Sequence, residues 1–484
     1  MFENNWLSLS RYSLPQWMKD AKFGIYASWG VYSVPACGPN GVWYGSNMYV
    51  EGHPQNLYHC EHYGSPAEYP YHRFIPQFKA ENFNAMEWAD LFERAGAKFA
   101  GLVAELHDGF SMWDSQVNPW NAVQMGPHRD VTGELEEAVR KKGLKFLTTF
   151  HHAENWNFYP HWIKECAHLR DKRYAGLYGK AHNLEWINDR GRYNPWGEWT
   201  AQDKPDREFE KVWLTKIKEV LDRYSPDVIW FDFGLDMISD TYKTEMLSYY
   251  YNSALEKGQE PVVIYKNHDL PPSIGLVDIE QGSFNHLPYH SWITDTTTDS
   301  GSGWGYVRDI GFKTSERLIH YLIDNVSKNG YLLLNIGPRS DGTIPDEVKK
   351  QLMDIGDWLE INGEAIYGTV PWVCWGEGPT EIPKEGTMGE VEGQAVAYTC
   401  KDIRFTCASN CLYAIFLGWP ENGEVVIHTL SRLRHDEIRR IGLIGFGDIE
   451  DYRMETDGLH VKLPDQKPCE HAFVLKIYEQ EDVI

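Results

Sequence analysis

Short apolar runs alternate with amphipathic stretches along the first 370 residues, and this alternation constrains the fold more than any other feature. The runs are 23–26 (FGIY), 99–106 (FAGLVAEL), 144–150 (LKFLTTF), 228–233 (VIWFDF), 261–265 (PVVIY), 275–279 (GLVDI) and 331–336 (YLLLNI). They are continuous rather than alternating in polarity, as expected of strands covered on both faces. Between them lie helical patterns at 84–95, 134–142, 209–224 and 314–327, punctuated by an Asn cap at 84, by Gly96 and Gly143, and by Ser225-Pro226. Strand alternating with helix implies parallel pairing with right-handed crossovers. Seven or eight such repeats predict an α/β fold, a (β/α)8-like barrel, rather than an open sheet.

The pattern changes after a last helix at 346–359. Short runs at 395–398, 403–405, 412–417, 424–430, 441–446, 458–463 and 472–478, punctuated by Gly, Pro, Asn and Asp, read as strands of a C-terminal β-sandwich. The predicted domains are 1–370, a catalytic barrel, and 371–484, the sandwich.

In a barrel, reacting groups belong at the C-terminal ends of strands. Four predicted strand ends carry acids or histidines: Glu105-Leu106-His107-Asp108, His151-His152, Trp230-Phe231-Asp232 and Asp278-Ile279-Glu280. Two carboxylates on different strands of one rim are what glycoside hydrolysis needs. The 20 tryptophans among 484 residues fit the same chemistry, since flat apolar rings suit the C–H faces of sugars, although large cores also favour Trp. A metal-dependent hydrolase built on His107, Asp108, His151 and His152 lacks HExxH-type spacing, so neither metal nor cofactor is expected.

The net charge of −24 repels phosphate backbones and anionic surfaces, which argues against nucleic acid or a membrane as partner. No apolar run approaches the roughly 18–20 residues needed to cross a bilayer. The charge also favours a neutral glycoside over a sulfated or uronic one. The eight cysteines include no CxxC and are read as mostly buried free thiols. The opening MFENNWLSLS lacks the basic start and apolar core of a signal peptide, so the expected compartment is cytoplasmic unless a signal was removed. The oligomeric state stays open.

Several segments together resemble glycoside hydrolase family 29, the α-L-fucosidases. They are 17–35 (WMKDAKFGIYASWGVYSVP), 97–113 (AKFAGLVAELHDGFSMW), 126–135 (GPHRDVTGEL), 224–232 (YSPDVIWFD), 302–306 with 327–343 (SKNGYLLLNIGPRSDGT), and 358–368 (WLEINGEAIYG). The resemblance implies that Asp232 is the nucleophilic aspartate. It makes Glu280, before Trp292-x-Thr294-Asp295, the best match for the acid/base. It places Trp43, His107, Trp230, Trp292 and Trp304 around the sugar, with either Lys266 or Asn267 near a family arginine.

The departures are as informative as the matches. Ser28 stands where the family has a His before Trp-Gly, and Leu106 replaces the first of two histidines before Asp-Gly-Phe, leaving His107. Those imidazoles donate to the sugar's 3- and 4-hydroxyls in the family, so their loss weakens recognition of the axial 4-hydroxyl of L-fucose. His151 and His152, where the family often has Tyr and Ser, could supply donors from another direction. The reading is a retaining exo-α-L-glycosidase acting through a covalent glycosyl-enzyme, on L-fucose or on a C4-epimer-type sugar such as L-glucose, with a slight lean to the latter. The alternative is a catalytically weak carbohydrate-binding protein on the same fold.

Overall fold

Eight parallel strands close into a barrel in simple sequential order: β1 (Phe23–Ala27), β2 (Phe99–Glu105), β3 (Lys145–Phe150), β4 (Val228–Phe231), β5 (Val262–Lys266), β6 (Leu276–Asp278), β7 (Trp292–Thr297) and β8 (Gly330–Ile336). The computed structural model describes residues 1–182, 204–301, 303–392, 397–409, 411–433 and 437–479. Closure is made by β1 on β8, where Phe23 pairs with Leu332 and Ala27 with Ile336. The barrel interior is filled by side chains from alternate positions of the strands, among them Leu147, Trp230, Ile264, Ile293 and Leu333, as packed parallel barrels require.

The helices start where their caps dictate. Asn84 accepts from the amides of Met86 and Glu87 to open α1 (Ala85–Arg94), Asp130 from Gly133 to open α2 (Val131–Lys141), and Thr314 from Arg317 to open α5 (Ser315–Ser327). α3 (Arg207–Tyr224), α4 (Asp240–Glu256) and α6 (Asp346–Asn362) complete the outer layer of long helices. Two departures from strict alternation stand out. The loops 267–275, after β5, and 279–291, after β6, contain no helix. The strand β7, WITDTT, was not among the predicted apolar runs, because its Thr and Asp content hides it.

Beyond α6 the chain forms two antiparallel sheets. One has the order β14-β13-β17-β11-β10-β9 and the other β12-β16-β15. Here β9 is Val370–Glu377, β10 Ile403–Ala408, β11 Cys411–Phe416, β12 Glu424–Ile427, β13 Ile438–Leu443, β14 Gly447–Ile449, β15 Tyr452–Glu455, β16 Gly458–Lys462 and β17 Phe473–Glu479. Their inner faces share one core, with Phe405, Leu412, Leu475 and Ile477 from the first sheet and Val425, Ile427, Leu459 and Val461 from the second. This is the sandwich the sequence predicts, with corrections. The half-exposed edge strand β9 carries Pro371, the composition that sequence patterning discounts. Of the predicted strand at 395–398, Ala395 and Val396 lie outside the described residues, and Ala397 and Tyr398 are in loop. The run 424–430 ends as a strand at Ile427 and continues as a 3-10 turn. None of the eight cysteines is in a disulfide, and among them Cys166 alone is buried and Cys60 is exposed. No helix among the described residues is long and apolar enough to cross a membrane.

Barrel and sandwich are joined by buried polar contacts. Trp358 Nε1 of α6 donates to the Ala472 carbonyl at 2.8 Å. Asp324 of α5, 1 % exposed, accepts from Lys328 Nζ at 2.7 Å and from Arg404 Nε of β10 at 2.6 Å. Burial alone would raise the Asp324 carboxyl, but the two cations outweigh it and hold it below the usual range. Its contribution to stability is therefore present above the unfolded carboxyl value of about 4 and is lost as pH falls through the lower folded value. Asp324→Asn leaves two buried cations without their anion, so chemical denaturation at neutral pH is expected to show a loss of about 3–5 kcal/mol.

Candidate active site

The site is the next layer of the barrel interior. The inward rows of the strands have a two-residue period. Continued one step past the apolar layer, they pass from Tyr26 to Ser28, from Leu147 through Thr149 to His151, from Trp230 to Asp232, from Ile264 to Lys266, from Leu276 to Asp278 and from Ile293 to Asp295. At this end of the barrel, that of the strand C-termini, the filling changes from hydrocarbon to titratable groups. Of these rows, Tyr26, Ser28, His151, Trp230, Asp232, Lys266 and Asp295 line a pocket with Glu280, Trp43, Trp304 and Leu106, of about 460 Å³ with its mouth included, the scale of a small-molecule site.

Lys266 is the hub of the pocket. Its ammonium lies 2.8 Å from Glu280 Oε2, 3.2 Å from Asp232 Oδ1 and 3.5 Å from Asp295 Oδ1. Burial by itself would strip its proton. The neighbouring Asp295, Glu280, Asp232 and Asp278 outweigh that and hold the ammonium well above its ordinary range. Asp278 accepts from Trp230 Nε1 at 2.8 Å and from the Asp295 amide at 3.0 Å. Burial pushes the Asp278 carboxyl up to about 6, against the pull of Lys266. Asp295, buried beside Asp278, is pushed well above the carboxylate range, and the Tyr26 hydroxyl donates to its Oδ2 at 3.1 Å.

Asp232 is treated differently by its surroundings. Burial favours its neutral form, but Lys266, His151 and His107 outweigh burial and hold it well below the usual range. His151 Nδ1 donates to Asp232 Oδ2 at 3.0 Å while its Nε2 accepts from the Thr149 hydroxyl at 3.0 Å. That pair of partners fixes the neutral tautomer, and burial lowers the His151 pKa to about 4. His107 Nε2 approaches the same oxygen at 3.3 Å, and its Nδ1 faces the His151 carbonyl at 3.0 Å. Both its nitrogens thus face oxygen atoms. His107, His151 and Asp232 are close enough to share a metal ion. The Lys266 ammonium already supplies the local positive charge and opposes a second cation there.

Aromatic walls surround these groups. The Trp230 ring lies against His151 and under the Lys266 ammonium, 4.9 Å from its centroid. Trp43 packs between His107, Phe158 and Phe233. Trp304, at φ +55°, faces Lys266 across the pocket. Of the residues singled out in the sequence, the structure brings together Asp232, Glu280, Ser28, Trp43, His107, His151, Trp230, Lys266 and Trp304. It does not bring His152 or Trp292 into the pocket, because each has the wrong strand parity. His152 Nε2 instead meets the Trp213 carbonyl behind the barrel wall, and Trp292, at the opposite end of β7, bonds the Lys328 carbonyl. Asn267 is exposed, so the cation facing the carboxylates is Lys266. Sequence reasoning missed Tyr26, Asn40, Val42 and Phe233 as lining residues and gave Asp278 and Asp295 no role. Asn40 has a buried, unpartnered Oδ1. It lies on a loop, where no periodicity could have signalled it.

Comparison with known proteins identifies the family. The Alpha-L-fucosidase family pattern matches residues 1–364, and the Alpha-L-fucosidase C-terminal domain matches 396–478. The chain is 33 % identical over 492 residues to tissue alpha-L-fucosidase of Rattus norvegicus, covering 98 % of this chain and 92 % of that one. It is 33 % identical over 490 residues to the Homo sapiens tissue enzyme, covering 98 % and 91 %. Among solved structures, Thermotoga maritima alpha-fucosidase in complex with a mechanism-based inhibitor superposes with a TM-score of 0.75 at 29 % identity, over 99 % of this chain and 100 % of that one. With its barrel and C-terminal domain both matched, the chain belongs to the α-L-fucosidase family, glycoside hydrolase family 29, and is a glycoside hydrolase.

Proposed function

We propose that this chain removes terminal α-L-sugars from glycosides by two displacements with net retention. Asp232 attacks the anomeric carbon as the glycosidic C–O bond breaks, and Glu280 gives its proton to the departing oxygen. Glu280 then takes a proton from the water that attacks the same carbon and frees Asp232. One observation carries the reading. Asp232 and Glu280 share the Lys266 ammonium at 3.2 and 2.8 Å, so those oxygens lie no more than about 6 Å apart. That spacing fits the roughly 5–5.5 Å of retaining enzymes better than the roughly 6.5–9.5 Å of inverting ones. Trp43, Trp230 and Trp304 give the ring its apolar faces, Ser28 and Asn40 offer partners to its hydroxyls, and His107 and His151, which face the pocket with their nitrogens on Asp232, Thr149 and the His151 carbonyl, orient the nucleophile against the sugar. We assign catalysis to residues 1–370 and a scaffolding role to 371–484.

The named relatives support L-fucose as the glycone. A specific observation favours a second reading. Ser28 and Leu106 both line the pocket, and Leu106 offers no hydrogen bond to an axial 4-hydroxyl, so α-L-glucose is the competing glycone.

Hydrolysis of p-nitrophenyl α-L-fucoside, α-L-glucoside, α-L-galactoside and β-D-fucoside decides between them. Asp232→Asn is expected to abolish cleavage of every substrate, and proton NMR to show the α-anomer first. A β-anomer formed first overturns retention, and no cleavage across the panel overturns the reading. Under the second reading, Ser28→His combined with Leu106→His shifts the kcat/KM ratio toward the fucoside by about tenfold or more. The pH profile gives a further test. The Lys266 cation favours ionised Asp232, so Lys266→Met raises the Asp232 pKa. The acid limb of kcat/KM is expected to move to higher pH, while Lys266→Arg leaves it close to wild type.

A further inference from the structure

The loop that carries Glu280 is braced from outside the barrel. Because no helix follows β6, residues 279–285 have no helical layer over them. On one side they extend the sheet toward β7, with the Ile279 amide donating to Ile293 O at 2.8 Å and the Gln281 amide to Asp295 O at 2.9 Å. The other side would leave main-chain carbonyls unpaired, a cost that folded chains avoid. The segment 382–390, which connects β9 to β10, fills that place. The Met388 amide donates to Glu280 O at 2.7 Å and the Glu390 amide to Gln281 O at 2.8 Å. Ser283 and Gly386 exchange both main-chain bonds, at 3.3 and 2.7 Å. The Asn285 side chain bonds the Ile382 carbonyl at 2.7 Å and its amide at 3.0 Å.

This brace is itself anchored through one buried carboxylate. The Glu390 side chain is 7 % exposed. It pairs with Lys313 Nζ at 3.0 Å and with Arg317 of α5, and it accepts from the Thr296 hydroxyl of β7 at 3.3 Å. Lys313 Nζ also donates to Thr296 at 2.7 Å, which closes a small network on the outer face of β7. Glu390 is not among the residues lining the pocket. Its main-chain link to the acid/base loop is its own amide on Gln281 O, with the Met388 amide on Glu280 O beside it.

We propose that Glu390 is a positioning residue for Glu280: anchored to Lys313, Arg317 and Thr296, it holds the β9–β10 connection against the loop and so sets where the Glu280 carboxyl stands over the glycosidic oxygen. The inference rests on the acid/base role of Glu280 proposed above. A loop displaced by about 1 Å can cost on the order of 10²-fold in rate. The loss falls on the step that needs a proton delivered to the leaving group.

The test uses aryl glycosides of whichever α-L-glycone the wild type cleaves faster, comparing 2,4-dinitrophenyl, which departs without protonation, with phenyl, which needs it. Glu390→Ala is expected to lower kcat/KM by about 10- to 100-fold on the phenyl glycoside and by less than about threefold on the dinitrophenyl one. Glu390→Gln, which keeps the shape and part of the hydrogen bonding, restores part of the loss. Asn285→Ala loosens the far end of the same ladder and shows the same selectivity, more weakly, and it serves if Glu390→Ala fails to fold. Glu280→Ala is run beside them. If Glu280→Ala discriminates between the leaving groups and the Glu390 and Asn285 variants lose both substrates equally, or lose neither, the brace is overturned while the role of Glu280 stands. If Glu280→Ala does not discriminate, the role of Glu280 is overturned and the inference with it.

Discussion

A single ammonium organises the mouth of this barrel. Four carboxylates, Asp232 at the end of β4, Asp278 of β6, Glu280 on the loop after β6 and Asp295 of β7, crowd the mouth of the barrel around Lys266 of β5. Without a cation among them they would repel one another and take up protons. Lys266 stands in the middle and divides them. Asp232, which also receives His151 and His107, is held ionised well below the usual range, whereas Asp295, paired with Asp278, is pushed well above it. A group poised to attack, after β4, and a group poised to stay neutral, on β7, thus arise in one barrel from differences in neighbours.

Much of this was legible in the sequence, and the limits have physical causes. The barrel could be read because strands covered on both faces need unbroken apolar runs. β7 is hidden because its inward row runs from Ile293 to Asp295 and Thr297 and its sequence is rich in Thr, so hydropathy fails where the strand feeds the site. The catalytic candidates Asp232 and Glu280 follow from strand ends and from the family resemblance. Choosing between Lys266 and Asn267, or between His151 and His152, required strand parity. That was available once Ile264 and Leu147 were seen to point inward, since every second residue follows them. Trp292 resembled a site tryptophan by its neighbours in sequence, but it opens its strand at the far end of the barrel. Asn40 could not be found from periodicity, because it lies on a loop at φ +57°.

The two helix-free connections mark where this barrel departs from strict alternation. After β5 the chain returns within 267–275, and after β6 it descends through 279–291 without a helical cover. In the second gap, chain from beyond the barrel supplies the hydrogen bonds that a crossover helix would have made unnecessary. The place in the wall that lacks its own support is therefore the place where Glu280 is mounted, and its surroundings depend on residues more than 100 positions later in the chain.

The buried Asp324, shared between Lys328 of its own helix and Arg404 of the sandwich, carries a consequence for how such proteins diversify. A barrel that keeps this acid cannot simply exchange its C-terminal partner, since a new partner without a matching guanidinium would leave Asp324 with half its compensation in a dry interface. Shuffling of these domains is thereby constrained by electrostatics as much as by shape. Barrel and sandwich are expected to descend together as one inherited unit.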